Sequence, residues 1–397
     1  MSKQSNAIFR DGVTLRCIAC NYTTSAEPWL FLCPKCGNLM EVVMPSKNNF
    51  SWDVARKRRF GVWRYRELLP LSNDVEPITM GEGGTPLISV NRIVNRGVFV
   101  KFEGANPTGS FKDRGMTVGI TIAKSLGVEG VIVASTGNTA ASAAAYAARA
   151  GLQCVVVLPR GGVARGKLAQ ALLHGAKIVE VDGVFDEALE EVFTEVVLNG
   201  KRDLYPLNSY NPWRLEGQKT LAFEIVDELE EPPDYVFVPV GNAGNISAIW
   251  KGFKELYNYG LISRLPRMIG VQAEGAAPLV RTWALKSRSL MAIEKPVTIA
   301  SAIRIGKPVN WLKALKAVEE SRGTFVSVSD EEIVKSMKDL AMYEGIGVEP
   351  ASAASLAGYR KALELGIVDR NSVTVLVATG HALKDPDTIS KYFSRGE

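Results

Sequence analysis

The chain predicts an α/β fold: two parallel sheets covered by helices, a ligand cleft between them, and a small metal-held ribbon at the amino terminus. Three observations carry this reading. Short β-branched runs alternate with helical patterns, polar turns follow four of the strand-like runs, and four cysteines form two Cys-x2-Cys pairs near the start. Such alternation favours parallel strands joined by helical crossovers. Ligands collect at the carboxyl ends of strands in such sheets.

The ribbon comes first in the chain. Cys17 and Cys20 form one pair and Cys33 and Cys36 the other, twelve residues apart, each pair in a short turn. Four thiolates so spaced can close around a tetrahedral ion. A redox dithiol needs only one pair, and an extracellular disulfide framework disagrees with a start, Met-Ser-Lys-Gln-Ser-Asn, that lacks the apolar core of a signal peptide. Structural zinc is therefore expected at residues 13–43; iron is the alternative occupant, and a degenerate ribbon would keep four free thiols. The module is too small to bury its own core and would draw its folding energy from the ion. Residues 45–60 read as a polar, basic connector, and Arg56-Lys-Arg-Arg59 within it as a solvated face. A nucleic-acid site would need aromatic platforms or a wider basic groove, so none is expected.

The body then alternates. Strands are expected at 98–102, 130–134, 152–158 and 177–181, with helices at 115–126, 139–150, 167–173 and 185–198. Residues 203–211 are turn-rich, 215–229 helical, and 235–240, 268–273 and 373–378 form a second group of strands. Chain crossings near 115 and 210 would place a small α/β domain, 116–209, inside a larger one made of 44–115 and 210–397. The glycine-rich turn at 161–166 reads as a plain loop, with a lid or an anion nest as alternatives, and Cys154 as a small buried side chain.

Composition bounds the function. A chain of 397 residues can bury a full core. Apolar residues at 46% and charged residues at 22% argue against disorder, and the net charge of +5 is dilute. The longest apolar stretch, 140–157, is interrupted by Arg149 and Gln153 and falls short of a membrane span. A cytoplasmic enzyme is expected.

The chemistry centres on Asn106-Pro-Thr-Gly-Ser-Phe-Lys-Asp-Arg-Gly115, which sets Lys112 beside Phe111 in a turn marked by proline and glycine. A lysine held there can form an imine with an aldehyde; alone, it reads as a surface ion-pair residue. Gly241-Asn242-Ala243-Gly244-Asn245 follows a strand-like run as an anion-holding turn would, and suits a phosphate. Ser135-Thr136-Gly137-Asn138-Thr139 opens an alanine-rich helix whose backbone donors and dipole can receive a carboxylate or another anion. Thr379 offers a hydroxyl at a further strand end. Each signal has a bland counterpart, a helix cap or a common glycine turn; their convergence on strand ends makes the functional reading the stronger one.

Taken together, these motifs resemble the threonine synthases, pyridoxal-phosphate enzymes of the tryptophan-synthase β-like fold, fold type II. The resemblance covers about residues 80–390 and includes Gly81-Glu-Gly-Gly-Thr-Pro-Leu87, Asn208-Ser-Tyr-Asn-Pro-Trp-Arg-Leu-Glu-Gly-Gln-Lys219, Ser301-Ala-Ile-Arg-Ile-Gly306 and Val348-Glu-Pro-Ala-Ser-Ala353. Relatives that dehydrate serine or threonine more often have a nearly all-glycine phosphate loop; two asparagines stand here, as in threonine synthases. The resemblance implies that Lys112 carries pyridoxal 5'-phosphate as an imine and acts as base, with Phe111 packed nearby. It implies that Asn138 bonds the phenolic oxygen, residues 241–245 hold the phosphate, and Thr379 faces the pyridine nitrogen. It further implies O-phospho-L-homoserine as substrate, with Arg214, Asn208 and Ser209 for its phosphate and Ser135, Thr136 and Thr139 for either of its anions. A homodimer is implied as well. The rival readings are a serine or threonine dehydratase, a cysteate synthase-like enzyme, and a ribbon-mediated binding protein with a vestigial body, which the intact Lys112 opposes.

Overall fold

The computed structural model describes residues 8–94, 96–135, 137–159, 165–182 and 202–393. The described chain begins with strands β1 (Thr14–Cys17), β2 (Thr23–Ser25) and β3 (Met40–Val43), a short helix α1 (Trp52–Arg56), and strands β4 (Leu87–Ser89) and β5 (Val98–Phe102). There follow α2 (Lys112–Ser125), β6 (Gly130–Ala134), α3 (Asn138–Ala150), β7 (Gln153–Pro159), α4 (Arg165–Leu173), β8 (Lys177–Val181), β9 (Leu204–Pro206) and α5 (Pro212–Gln218). The remainder comprises α6 (Thr220–Leu229), β10 (Tyr235–Pro239), α7 (Gly244–Asn258), β11 (Arg267–Ala273), α8 (Pro278–Ala284), α9 (Trp311–Glu320) and β12 (Thr324–Val328), then α10 (Asp330–Glu344), α11 (Pro350–Glu364), β13 (Thr374–Ala378) and α12 (Pro386–Phe393). Two compact units result: Met1–Gly84 with Lys112–Thr220, and Thr85–Phe111 with Leu221–Glu397. Residues 44–84 thus group with the first unit, where the sequence reading joined them to the second half.

The first unit holds two sheets. β2-β1-β3 is an antiparallel ribbon, and β8-β7-β6-β9 is a parallel sheet. All five residues of β6 are buried, as a strand in the middle of a parallel sheet requires. Helices α2 and α5 approach through glycines. A Cβ on Gly115 would sit 2.8 Å from the Arg214 carbonyl oxygen, and one on Gly217 only 1.7 Å from the Arg114 carbonyl oxygen. That second contact is backbone on backbone and has no soft side chain to yield. Gly217→Ala should therefore lower unfolding stability by at least about 3 kcal/mol, at the upper end of overpacking costs; a urea melting curve unchanged within error would refute the close approach.

The second unit is built on one sheet in the order β12-β11-β10-β13-β5-β4, parallel except for β4 at the edge. Helix α11 lies against β10, β11, β12 and β13. Gly358 allows this approach, because a Cβ there would lie 2.5 Å from a methyl of Val271. Phe237, Val271, Leu356, Tyr359 and Leu376 fill the resulting core. Lys101 on β5 is fully buried and paired with Glu224 at 3.1 Å and with Glu228; opposite charge makes its burial tolerable.

Several elements differ from expectation. Helix α2 begins at Lys112, three residues early, because Asp113 and Arg114 are buried and bonded within the unit rather than left in a loop. The 215–229 helix is two helices broken at Lys219. The connector contains α1, and its basic run is not simply solvated: Arg58 pairs with Glu67, and Arg56 lies 5.8 Å from the Trp52 ring centroid. β4 and β12 went unread. The expected 185–198 helix and most of the 161–166 turn fall outside the described residues. Among the described residues no helix is long and apolar enough to cross a membrane.

Candidate active site

In the first unit the sites predicted around Ser135 and Asn208 lie at the carboxyl ends of the neighbouring parallel strands β6 and β9. Asn208 joins them. Its side-chain oxygen accepts from the Ala134 N–H at 3.0 Å and its amide donates to the Ala134 carbonyl at 2.8 Å. The amide acts like one more strand residue and fixes the start of the 135–139 turn. Ser135 Oγ accepts from the Gly137 N–H at 3.3 Å. Helix α3 begins at Asn138, and its N-cap is Gly137, which has no side chain to occupy the helix start. Thr139 is half-buried in that first turn, and Thr136 is outside the described residues.

Arg214 stands on α5, one turn after β9. It is only 2% exposed, yet Nε and Nη2 have no hydrogen-bond partner among the described residues. Burial lowers its pKa to about 10, and Tyr210 opposes that shift. A guanidinium in this state lacks the charge-assisted bonds that normally accompany burial. Gly119 makes room for its stem, since a Cβ there would lie 3.2 Å from Arg214 Cγ. The Gly115–Gly119 spacing on one helix face is the signal that would have disclosed this contact.

Lys112 is half-buried as the first residue of α2. The residue after it is anchored: Asp113 accepts from Ser142 Oγ on α3 at 2.5 Å. One turn further along α3, the Tyr146 hydroxyl donates to Glu82 at 2.7 Å. Glu82 also accepts from Trp63 Nε1, Thr79 Oγ1 and the Met80 N–H. Burial, then the charges of Asp113 and Glu82, push the Tyr146 pKa far above its ordinary value, so the phenol stays a donor. Neither Ser142 nor Tyr146 was singled out from sequence, although their i, i+4 spacing puts both on one face of α3.

In the second unit the turn 241–245 follows β10, and Thr379 follows the adjacent parallel strand β13. Ala243 is left-handed at φ 63°, a conformation that costs a residue with a side chain roughly 1–2 kcal/mol. Asn242 is held by its side-chain oxygen accepting from Val309 N–H at 3.4 Å and its carbonyl accepting from Asn310 N–H at 3.2 Å. Asn245, 7% exposed in the first turn of α7, has neither amide atom partnered among the described residues. A Cβ at Gly241 would lie 3.0 Å from the Ala302 carbonyl oxygen. A strained turn, an open helix start and an orphaned amide together fit a phosphate group.

Thr379 is 4% exposed, with its hydroxyl 3.0 Å from Ser352 Oγ and 3.4 Å from Glu349 Oε1. A buried carboxylate therefore stands behind the hydroxyl, a feature the sequence reading missed although Glu349 lies in a quoted motif. Phe111 donates its N–H to the Thr379 carbonyl at 3.0 Å, which ties the residue preceding Lys112 to this strand end. The Ser110 hydroxyl is fully buried without a partner among the described residues. His381 Nδ1 accepts from the Leu383 N–H at 3.1 Å and so caps the short helical turn 382–384.

The four ribbon cysteines converge. Their sulfurs lie within 4.8 Å of one another, with Cys17–Cys36 at 3.4 Å and Cys20–Cys33 at 3.6 Å. A tetrahedral ion with metal–sulfur bonds of about 2.3 Å needs sulfur–sulfur edges of about 3.8 Å, so the set fits a metal. Hydrogen bonds from the Asn38 backbone and side chain, followed by Cys17, lower the Cys36 pKa, while, against a backbone hydrogen bond from Tyr22, desolvation and then Cys36, Cys17 and Cys33 push Cys20 up, so without an ion the four thiols cannot all ionise together. Cys154 lies in β7, 5% exposed, and burial raises its thiol to about 12.

Helix-covered parallel sheets whose strands end in polar turns are the architecture of the pyridoxal-phosphate enzymes of fold type II. A family model described as pyridoxal-phosphate dependent enzyme matches residues 78–380. The threonine synthase of Methanocaldococcus jannaschii is 53% identical over 380 residues, 94% of this chain and 93% of that protein. That of Methanosarcina acetivorans is 50% identical over 381 residues, with the same coverage of 94% and 93%. The crystal structure of threonine synthase from Escherichia coli shares the fold with a TM-score of 0.74 at 21% identity, covering 97% of this chain and 92% of that one. The chain belongs to the threonine synthase family of pyridoxal-phosphate-dependent enzymes.

Proposed function

We propose that this chain converts O-phospho-L-homoserine and water into L-threonine and inorganic phosphate, using pyridoxal 5'-phosphate. The observation that carries this reading is the buried Arg214 guanidinium with Nε and Nη2 unpartnered among the described residues. It supplies a second anion site, separate from the 241–245 turn that serves the cofactor. A dehydratase acting on serine or threonine has no second phosphate to place.

In this reading Lys112 attaches the cofactor, Phe111 packs beside it, Asn138 bonds its phenolic oxygen, Gly241, Asn242, Ala243, Gly244 and Asn245 hold its phosphate, and Thr379 meets its ring nitrogen. When bound, the cofactor supplies an electron sink for carbanions of the substrate. Lys112 Nζ moves protons at the substrate's α and β carbons, where proximity makes its limited basicity sufficient. Arg214, with Ser209 and the 135–139 turn, holds the substrate phosphate while the bond from the γ carbon to oxygen breaks. The hydroxyl of one water ends on the β carbon and a proton on the γ carbon, so one water is consumed for each phosphate released. Asn208, whose amide is engaged with Ala134, serves by positioning that turn. Zinc is the proposed occupant of the cysteine cluster, in a structural role, and a cytoplasmic homodimer is the proposed state on the strength of the family resemblance.

The test is a stopped assay of the purified, cofactor-loaded protein with O-phospho-L-homoserine, quantifying threonine and phosphate together. Equal release is expected. Ammonia and a 2-oxo acid from serine or threonine, with no turnover of the phosphorylated substrate, would overturn the reading.

A further inference from the structure

The ribbon has so far been given a metal but no task. Its packing suggests one. Phe31 lies two residues before Cys33 and is tied into the second knuckle, where its carbonyl accepts from the Met40 N–H at 2.9 Å and Leu32 bridges to Leu39. It is 1% exposed, and a module this small does not bury a phenyl ring by itself. The cover comes from β9 and the turn that follows it: the Phe31 ring is 5.9 Å from the Tyr205 ring and 5.8 Å from the Tyr210 ring. Trp29 meets Tyr205 edge-on at 5.1 Å, and the Tyr205 hydroxyl donates to the Pro28 carbonyl at 3.0 Å. Strand β3 packs on α5, and Phe9 stacks on Trp213 at 4.1 Å. The ribbon therefore grips the short stretch that carries Asn208, Ser209 and Arg214.

Arg214 needs outside support, because two of its three nitrogens find no protein partner to orient them among the described residues. Tyr210 lies four residues before it, in the turn that leads into α5, and Trp213, stacked on Phe9, immediately precedes Arg214. We propose that the metal-held ribbon is a positioning device for phosphate recognition: Phe31, fixed by the Cys33–Cys36 knuckle, seats Tyr210, and Tyr210 sets Arg214. This inference rests on the assignment of Arg214 to the substrate phosphate. It makes metal binding and substrate affinity one linked property, while the cofactor turn at 241–245, in the other unit, is outside the linkage.

The experiment measures the dissociation constant of inorganic phosphate by calorimetry on the cofactor-loaded protein, whose cofactor phosphate site is already filled. KM and kcat for O-phospho-L-homoserine, cofactor occupancy and metal content are recorded alongside. The variants are Phe31→Ala, Phe31→Leu, Cys33→Ser and Arg214→Ala, with Arg16→Ala, which breaks a half-buried ribbon ion pair to Glu41, as control. Phe31→Ala and Cys33→Ser should weaken phosphate binding and raise KM by about 10- to 100-fold, the scale of a small misplacement of a binding group. Cofactor occupancy should stay full and kcat should change far less. Phe31→Leu, which keeps an apolar wedge and the four thiols, should recover most of the affinity; Arg16→Ala should match the unmodified protein. If Phe31→Ala leaves phosphate affinity unchanged while Arg214→Ala abolishes it, the positioning role is wrong and the Arg214 assignment stands. If Arg214→Ala itself leaves phosphate affinity unchanged, the underlying assignment fails. Equal loss of kcat, KM and cofactor occupancy in Phe31→Leu would mark the ribbon as a general stabiliser and overturn the inference. Should Cys33→Ser not fold, the Phe31 pair decides alone.

Discussion

Lys112→Ala should yield a folded protein that binds the cofactor without a covalent link and turns over at least about 10³-fold more slowly, the combined scale of a lost nucleophile and a lost proton carrier. The fold should survive because the backbone on either side of Lys112 is held without its side chain. Phe111 is bonded through its N–H to the Thr379 carbonyl, and Asp113 through its carboxylate to Ser142. Lys112→Arg separates charge from chemistry: it keeps a cation but cannot attach the aldehyde, so it should be as inactive as the alanine variant. The absorbance of bound cofactor, the thermal midpoint and the rate of phosphate release together decide the matter. Turnover within tenfold of the unmodified protein in either variant would remove Lys112 from its assigned role.

Arg214→Met should cut kcat/KM for O-phospho-L-homoserine by about 10²–10³-fold, corresponding to roughly 3–4 kcal/mol, and at the same time raise the melting temperature in the absence of phosphate. The two effects have one cause. Replacing a buried charge by an apolar side chain of similar volume is often neutral or stabilising by about 1–4 kcal/mol, and here two guanidinium nitrogens lack partners among the described residues. The sign follows from the pKa. Burial lowers Arg214 to about 10, so the folded protein holds that proton less tightly than the unfolded chain does. Its charge therefore costs stability throughout the range below pH 10, and the cost diminishes as pH rises through 10. Added phosphate should stabilise the unmodified protein and leave Arg214→Met unmoved. A lower melting temperature in Arg214→Met without phosphate would mean that the guanidinium has structural partners.

The sequence made the reacting groups legible because chemistry leaves local marks. A lysine in Ser-Phe-Lys, two cysteine knuckles, and polar turns after β-branched runs can each be read within ten residues. The buried partners were not legible in that way. Glu349 and Thr379 are thirty residues apart and meet only because α11 starts beside the end of β13. Phe31 and Tyr210 are farther apart still, and nothing in either segment names the other. The early start of α2 was missed for a related reason: Asp113 and Arg114 look like loop residues until Ser142 and Thr220 arrive to bond them.

By itself the sequence determined the alternating α/β architecture, the family, the four-cysteine module and the residue types available for catalysis, since periodicity, turn chemistry and motif spacing are properties of contiguous chain. Only the tertiary structure decided which of those residues lack protein partners and which are already used. Asn208 proved to be engaged with Ala134, whereas Arg214 and Asn245 keep atoms without a partner among the described residues. The physical reason is that whether a polar group is satisfied depends on burial and on partners far away in sequence, and neither is encoded in its neighbours.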